Sequence, residues 1–82
     1  MPSRAEIMEL IAAELRAMGV TLPEDLHDNL SFRQDLDLDS LAIVEFVARM
    51  ELRFRVEIPD PEWRELVTVG LVADYIESRL GL

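Results

Sequence analysis

Residues 35–41, Asp35-Leu36-Asp37-Leu38-Asp39-Ser40-Leu41, alternate carboxylates with leucines and then open directly into a long helical pattern. Asp39 is a strong N-cap, because its side-chain oxygen can accept from a free N–H of the first helical turn. Ser40 then occupies that first turn with its hydroxyl toward water. The stretch therefore places one hydroxyl at a helix N-terminus inside an acidic collar, with no general base beside it. That arrangement suits a serine modified by another protein and suits a serine nucleophile poorly.

Working outward from Ser40, the helix runs to Phe54 or Arg55. At 100° per residue, Ile43, Phe46, Val47, Met50 and Phe54 share one sector, the core face. Leu41, Val44, Ala48 and Leu52 lie on the far side with Glu45. An apolar second face reads either as full burial of the helix or as a ridge for partners, and the ridge is favoured in so small a domain. Glu45/Arg49, Glu51/Arg55 and Arg53/Glu57 are i,i+4 pairs of a solvated face.

Before the collar, Ser3-Arg4-Ala5-Glu6 reads as a capping box. Ile7, Leu10, Ile11, Leu15 and Met18 follow at helical spacing, and Gly19 is a C-terminal stop, so a first helix is expected over about Arg4–Met18. Val20–Leu38 has no periodic element. Its spaced Leu22, Leu26, Leu30, Phe32, Leu36 and Leu38 predict a long loop pinned to the core, with one helical turn near Pro23–Leu26. After the second helix, Val56-Glu57-Ile58-Pro59 is extended. Asp60-Pro61 restarts a short third helix, Pro61 to about Leu66, with Asp60 as cap. Thr68 caps a fourth, in which Val69, Val72, Ala73, Ile76 and Leu80 share a face before Gly81. The expected fold is all-α: a four-helix bundle of three main helices plus a short third helix, with a long first loop, as one domain over 1–82.

The composition narrows the chemistry. All eight basic residues are arginine against 17 acids, net −9, so phosphate backbones are repelled and basic patches on proteins attract the chain. From Glu24 to Asp39 six acids face one arginine, net −5, while Ser40–Glu57 holds three of each and is neutral. There is no cysteine, hence no disulfide or thiolate metal site. No apolar run approaches the ~20 residues that span a bilayer, and the N-terminus lacks a signal peptide's basic flank and apolar stretch, so the cytoplasm is the expected compartment.

Asp35, Asp37 and Asp39 have the spacing of a calcium loop, but its sixth position is Ser40 and its twelfth Phe46, which argues against an EF-hand. His27 stands alone in the loop, and no G-x-S-x-G surrounds Ser40, so a hydrolase is not indicated. The three glycines are dispersed and cradle no phosphate. No metal site is expected, and the chain is not read as an enzyme.

Asp39-Ser40-Leu41, with Glu45 one turn on, Phe54 closing the helix, Glu57-Ile58-Pro59-Asp60, and the ending from Thr68-Val69 to Asp74-Tyr75-Ile76, closely resembles an acyl carrier protein over nearly the whole length. The resemblance implies that Ser40 receives 4'-phosphopantetheine from coenzyme A through a phosphopantetheinyl transferase, and that acyl groups ride as thioesters on the arm's thiol. It implies a partner surface of Leu41, Val44 and Ala48 with Glu45 and Glu51, and basic partner patches meeting Asp35, Asp37 and Asp39. It also implies a cargo groove at Phe46, Ile58, Trp63 and Leu66. Partners would be acyl-loading and acyl-processing enzymes (ketosynthase, acyltransferase or ligase), with the carrier a monomer.

Three residues or stretches depart from the family pattern. Asp37 stands where glycine is usual, the second helix is neutral where fatty-acid carriers are acidic, and Trp63 stands where a small residue is common. The first two point to a dedicated polyketide, fatty-acid-like or other secondary-metabolite pathway, or to an aminoacyl or peptidyl carrier. From another class, a cofactor-free helical adaptor using the second helix would tolerate Ser40→Ala.

Overall fold

A computed structural model describes residues 2–81, and it is built of four helices: α1 (Arg4–Ala17), α2 (Ser40–Phe54), α3 (Glu62–Glu65) and α4 (Val69–Leu80). The capping box starts α1. Ser3 Oγ accepts from Glu6 N at 3.2 Å, and Ser3 N donates to Glu6 Oε1 at 2.9 Å, holding that carboxyl below its ordinary pKa. Gly19 beyond its end takes φ 88°, the left-handed conformation that closes a helix.

The core is the meeting of three helix stripes. Ile7, Ile11, Ala12 and Leu15 of α1 are buried, and α1 packs on both α2 and α4. Phe46, Met50 and Phe54 come from α2, and Val69, Val72, Ala73 and Ile76 from α4. Asp39 Oδ1 accepts from Ala42 N at 2.8 Å and Thr68 Oγ1 from Leu71 N at 3.2 Å, so both caps act as the sequence predicts. No helix among the described residues is long and apolar enough to cross a membrane.

The long first loop is pinned, as its leucines indicate. Leu30, Phe32, Leu36 and Leu38 are all buried, and Phe32 packs against Phe46 with ring centroids 5.0 Å apart and ring planes tilted by 45°. Each such side chain contributes about 1.5–3 kcal/mol relative to exposure. Backbone bonds add to this: Val69 N donates to Leu30 O at 3.0 Å and Phe32 N to Val67 O at 3.2 Å.

The structure corrects the expectation at three places. No helical turn forms at Pro23–Leu26, where the chain only bends. The turn lies instead at Ser31–Asp35, where side chains bond the backbone locally. α3 starts at Glu62, not Pro61, and Asp60 does not cap it, because its carboxylate is bonded to Arg64. As the favoured ridge reading expects, α2 is not buried all round: Leu41 and Leu52 are 80% and 81% exposed. The Glu51/Arg55 and Arg53/Glu57 pairs are not among the ion pairs formed. Arg55 ends the helix at φ 55°, which breaks the i,i+4 register, and Glu51 Oε2 accepts from Ile58 N at 2.9 Å instead.

Candidate functional site

Ser40 is the first residue of α2 and is exposed. The turn before it is built to face it. Ser31 N donates to Asp35 Oδ2 at 2.7 Å, Gln34 N to Ser31 Oγ at 3.1 Å, and Asp35 N and Leu36 N to Ser31 O at 3.0 and 3.1 Å. With Phe32 buried beneath, the turn holds Arg33 above the helix start, and Arg33 Nη2 donates to Ser40 Oγ at 3.0 Å.

Beside this pair opens a cleft of about 720 Å³. Ser40 and Arg33 stand on its wall, with Ile43 and Val44 of α2 and Trp63 and Leu66 from the α3 region. The Arg64 guanidinium lies 5.0 Å from the centre of the Trp63 ring, and Asp60 beside it raises that arginine's pKa.

The partner of the Ser40 hydroxyl is thus a guanidinium, which has five donors and no capacity to act as a base. His27 is exposed in the loop and does not line the cleft. The Arg33 contact does not activate Ser40 as a nucleophile, and the exposed hydroxyl is open to approach from solvent. Among the described residues no group of three or more His, Cys, Asp or Glu could hold a metal ion.

The site residues expected from the sequence divide in three. Asp35, Asp37, Asp39, Leu41, Val44, Glu45 and Ala48 are exposed around and beyond Ser40. Glu51 is half-buried and occupied by the Ile58 N–H. Of the groove residues, Trp63 and Leu66 line the cleft. Phe46 and Ile58, at 2% and 3% exposure, sit in the core and do not reach its wall: Phe46 lies on the buried face of α2 against Phe32, and Ile58, beyond the end of α2, belongs to the same buried cluster. Arg33 is the site residue that motif and periodicity miss. Its one signal in the sequence is that it is the sole arginine among the six acids of residues 24–39.

A phosphodiester-linked arm fits this donor set. It needs an exposed hydroxyl, cationic or N–H donors beside the phosphate, and an apolar wall on which a chain can lie. Ser40, Arg33 with the start of α2, and the cleft supply these in turn.

A family model described as the phosphopantetheine attachment site matches residues 5–76. An acyl carrier protein of Acidothermus cellulolyticus is 40% identical over 76 residues, covering 93% of this chain and 90% of that one. The chain belongs to the acyl carrier protein family. The acyl carrier protein of Wolinella succinogenes is 38% identical to it over 73 residues, covering 89% of this chain and 91% of that one. A solved structure of the acyl carrier protein from Enterococcus faecalis superposes with TM-score 0.80 at 30% identity, over 95% of this chain and 99% of that one. The carrier bears 4'-phosphopantetheine and is itself non-catalytic, being acted on by phosphopantetheinyl transferases and acyl-processing enzymes.

Proposed function

We propose that residues 1–82 form a single acyl-carrier domain, that Ser40 Oγ is the atom bearing the arm, and that its cargo belongs to a dedicated polyketide, fatty-acid-like or other secondary-metabolite pathway. The observation that carries this reading is the exposed Ser40 hydroxyl at the start of α2, bonded to Arg33 on the wall of an open cleft. When bound, the arm supplies a terminal thiol on which an acyl group is held as a thioester. The chain's own residues supply the rest. Asp39 fixes the start of α2, so Ser40 is presented at a defined place and angle. The cleft offers apolar surface against which a carried chain is shielded from water.

Partners read the face around Ser40. Leu41, Val44 and Ala48 form its apolar part, and Asp35, Asp37, Asp39 and Glu45 its acidic part, which steers basic patches of partner enzymes toward the serine. The neutral charge of Ser40–Glu57 supports dedicated ketosynthase, acyltransferase or ligase partners rather than ones selecting a strongly acidic helix. Trp63 on the cleft wall supports a short or polar cargo. The carrier works as a cytoplasmic monomer in this reading.

The deciding experiment is intact mass after incubation with coenzyme A and a broad-specificity phosphopantetheinyl transferase, with Ser40→Ala alongside. One added phosphopantetheine, absent from the variant, is the expected result. A folded protein left unmodified by a transferase active on a control carrier would defeat the reading and favour the adaptor.

A further inference from the structure

Arg33 touches the serine, and its surroundings give it a more specific task than that contact alone. We propose that Arg33 is the positioning residue that grips the phosphodiester of the arm once Ser40 carries it, anchoring the arm's root over the cleft. The inference rests on Ser40 being the attachment residue.

Geometry carries it. Arg33 Nη2 already lies 3.0 Å from Ser40 Oγ. On attachment that oxygen becomes the bridging ester oxygen, and the charged non-bridging oxygens lie two bonds beyond it, through the phosphorus, within reach of the same guanidinium. A guanidinium is planar and presents paired N–H groups, the geometry that matches two phosphate oxygens. Among the described residues Arg33 makes no ion pair, unlike Arg4, Arg49 and Arg64, so no carboxylate has to be displaced. Two acids of the collar are engaged elsewhere: Asp35 Oδ2 accepts from Ser31 N at 2.7 Å and Asp39 Oδ1 from Ala42 N at 2.8 Å.

Charge gives the contact a purpose. The arm's phosphate adds an anion to a segment that already holds Asp35, Asp37 and Asp39 in a chain of net −9. One cation at the attachment point offsets that repulsion where it is greatest. Position gives it a direction. Arg33 and Ser40 stand together on the cleft wall, so an arm held at both would be rooted at the cleft's rim, on the wall that Ile43 and Val44 also line. The Ser31–Asp35 turn, tied by four bonds and seated on buried Phe32, keeps the Arg33 backbone from drifting away.

The test uses the phosphopantetheinylated protein carrying an isotope-labelled arm, read by 31P NMR and by relaxation of the arm's two amide groups. Arg33→Ala and Arg33→Gln are compared with the unsubstituted protein and with Arg53→Ala, which removes an equal charge from an exposed position at the far end of α2. Attachment is expected to shift the Arg33 Nε–H resonance. Arg33→Ala and Arg33→Gln are expected to move the 31P line toward that of a short peptide bearing the same diester and to loosen the amide nearest the phosphate. Arg33→Lys restores part of the shift, and Arg53→Ala leaves the line in place. An identical 31P position and identical arm relaxation in Arg33→Ala would overturn the inference while leaving the carrier reading intact. The inference also falls if Arg53→Ala produces as large a change, since the effect is then one of net charge alone. Failure of the unsubstituted protein to accept the arm at Ser40 removes both.

Discussion

The N–H of Gly70 donates to the carbonyl oxygen of Asp28 at 2.9 Å, and a Cβ at position 70 would stand 2.6 Å from Asp28 Cβ and 2.8 Å from that same oxygen. The first turn of α4 and the long loop therefore touch through bare backbone, and only glycine permits it. Gly70→Ala sets two effects against each other. Alanine favours the helix by about 0.8–1.0 kcal/mol. Forcing an atom against backbone costs about 1–3 kcal/mol, and backbone yields less readily than a flexible side chain. The clash wins, and a net loss near 1 kcal/mol lowers the melting temperature by about 4–8 °C. An unchanged or raised melting temperature would show that the loop moves away freely.

Arg4 is the ionic counterpart of that contact. Its guanidinium bonds Asp28 of the loop at 3.0 Å, Asp74 of α4 at 2.6 Å, and Glu77 of α4. These bonds raise its pKa further, Glu77 being the largest cause, but an arginine is protonated at any working pH, so no pH window follows. Its side chain is a third exposed, so solvent screens each pair. Three such pairs acting as a network are worth roughly 1–2 kcal/mol. Arg4→Ala also leaves three carboxylates facing one another, so its deficit in a thermal melt should shrink as salt rises. A deficit indifferent to salt would assign the effect to packing of the arginine stem.

Asp37 adopts φ 56°, a left-handed conformation. That explains why glycine is the usual residue at this position in carriers resembling this one. The left-handed region costs an ordinary L-residue about 1–2 kcal/mol, with aspartate among the more tolerant. Asp37→Gly removes that strain and one charge of the collar, but it frees the unfolded chain by about 0.4–1 kcal/mol. The expected net change is small, on the stabilising side. Asp37→Val, which is β-branched, should lose at least about 1 kcal/mol. Urea midpoints of the two variants check the ordering, and a Val variant as stable as the Gly variant would contradict the role assigned to the backbone.

Tyr75 provides a pH test. Its hydroxyl lies between the Glu57 carbonyl oxygen, at 3.0 Å, and the Glu62 carboxylate, tying α4 to the segment around α3. Burial, then the bond to Glu62 and its charge, raise the phenol's pKa above 10.0, with Arg79 opposing. A raised folded value means that the unfolded chain gives up this proton first. The contribution is therefore complete below pH 10 and is lost as pH climbs through the folded value. Tyr75→Phe should be less stable at neutral pH and should show a shallower alkaline decline. Parallel declines for both proteins from pH 9 upward would exclude Tyr75 as the cause.

The caps and stops at Ser3, Asp39, Thr68, Gly19 and Gly81 were legible in the sequence because each is a local exchange between one residue and the backbone within four positions. The three apolar stripes were legible for the same reason of period. The Ser31–Asp35 turn was not, since it depends on which of several Ser and Asp side chains bonds back, and on Leu30 and Phe32 meeting residues 67–69 far along the chain. Arg33 stayed hidden behind that turn, because its reach to Ser40 exists only once the loop is folded. Periodicity put Phe46 on an inward face, but it cannot distinguish core from cleft wall. That distinction is made by the packing of Phe32 against it.

Trp63 tests what the cleft accepts. It is half-buried on the wall shared with Ser40 and carries the Arg64 guanidinium over its ring. A large ring there takes up volume that a carried chain would use, and Arg64 places a cation at its edge, which suits a short or polar acyl group. Trp63→Ala should enlarge the cleft and let it shelter a medium-length saturated chain. The expected readout is slower cleavage of that chain's thioester by hydroxylamine than in the unsubstituted protein, with larger shifts of the Ile43 and Leu66 methyl resonances on loading. Short acyl groups should be cleaved at similar rates in both. Circular dichroism and a thermal melt of the variant establish that α3 still packs. If a folded Trp63→Ala protects the longer chain no better, the ring does not set cargo size, and its role is to close a thin core through the apolar surface it buries.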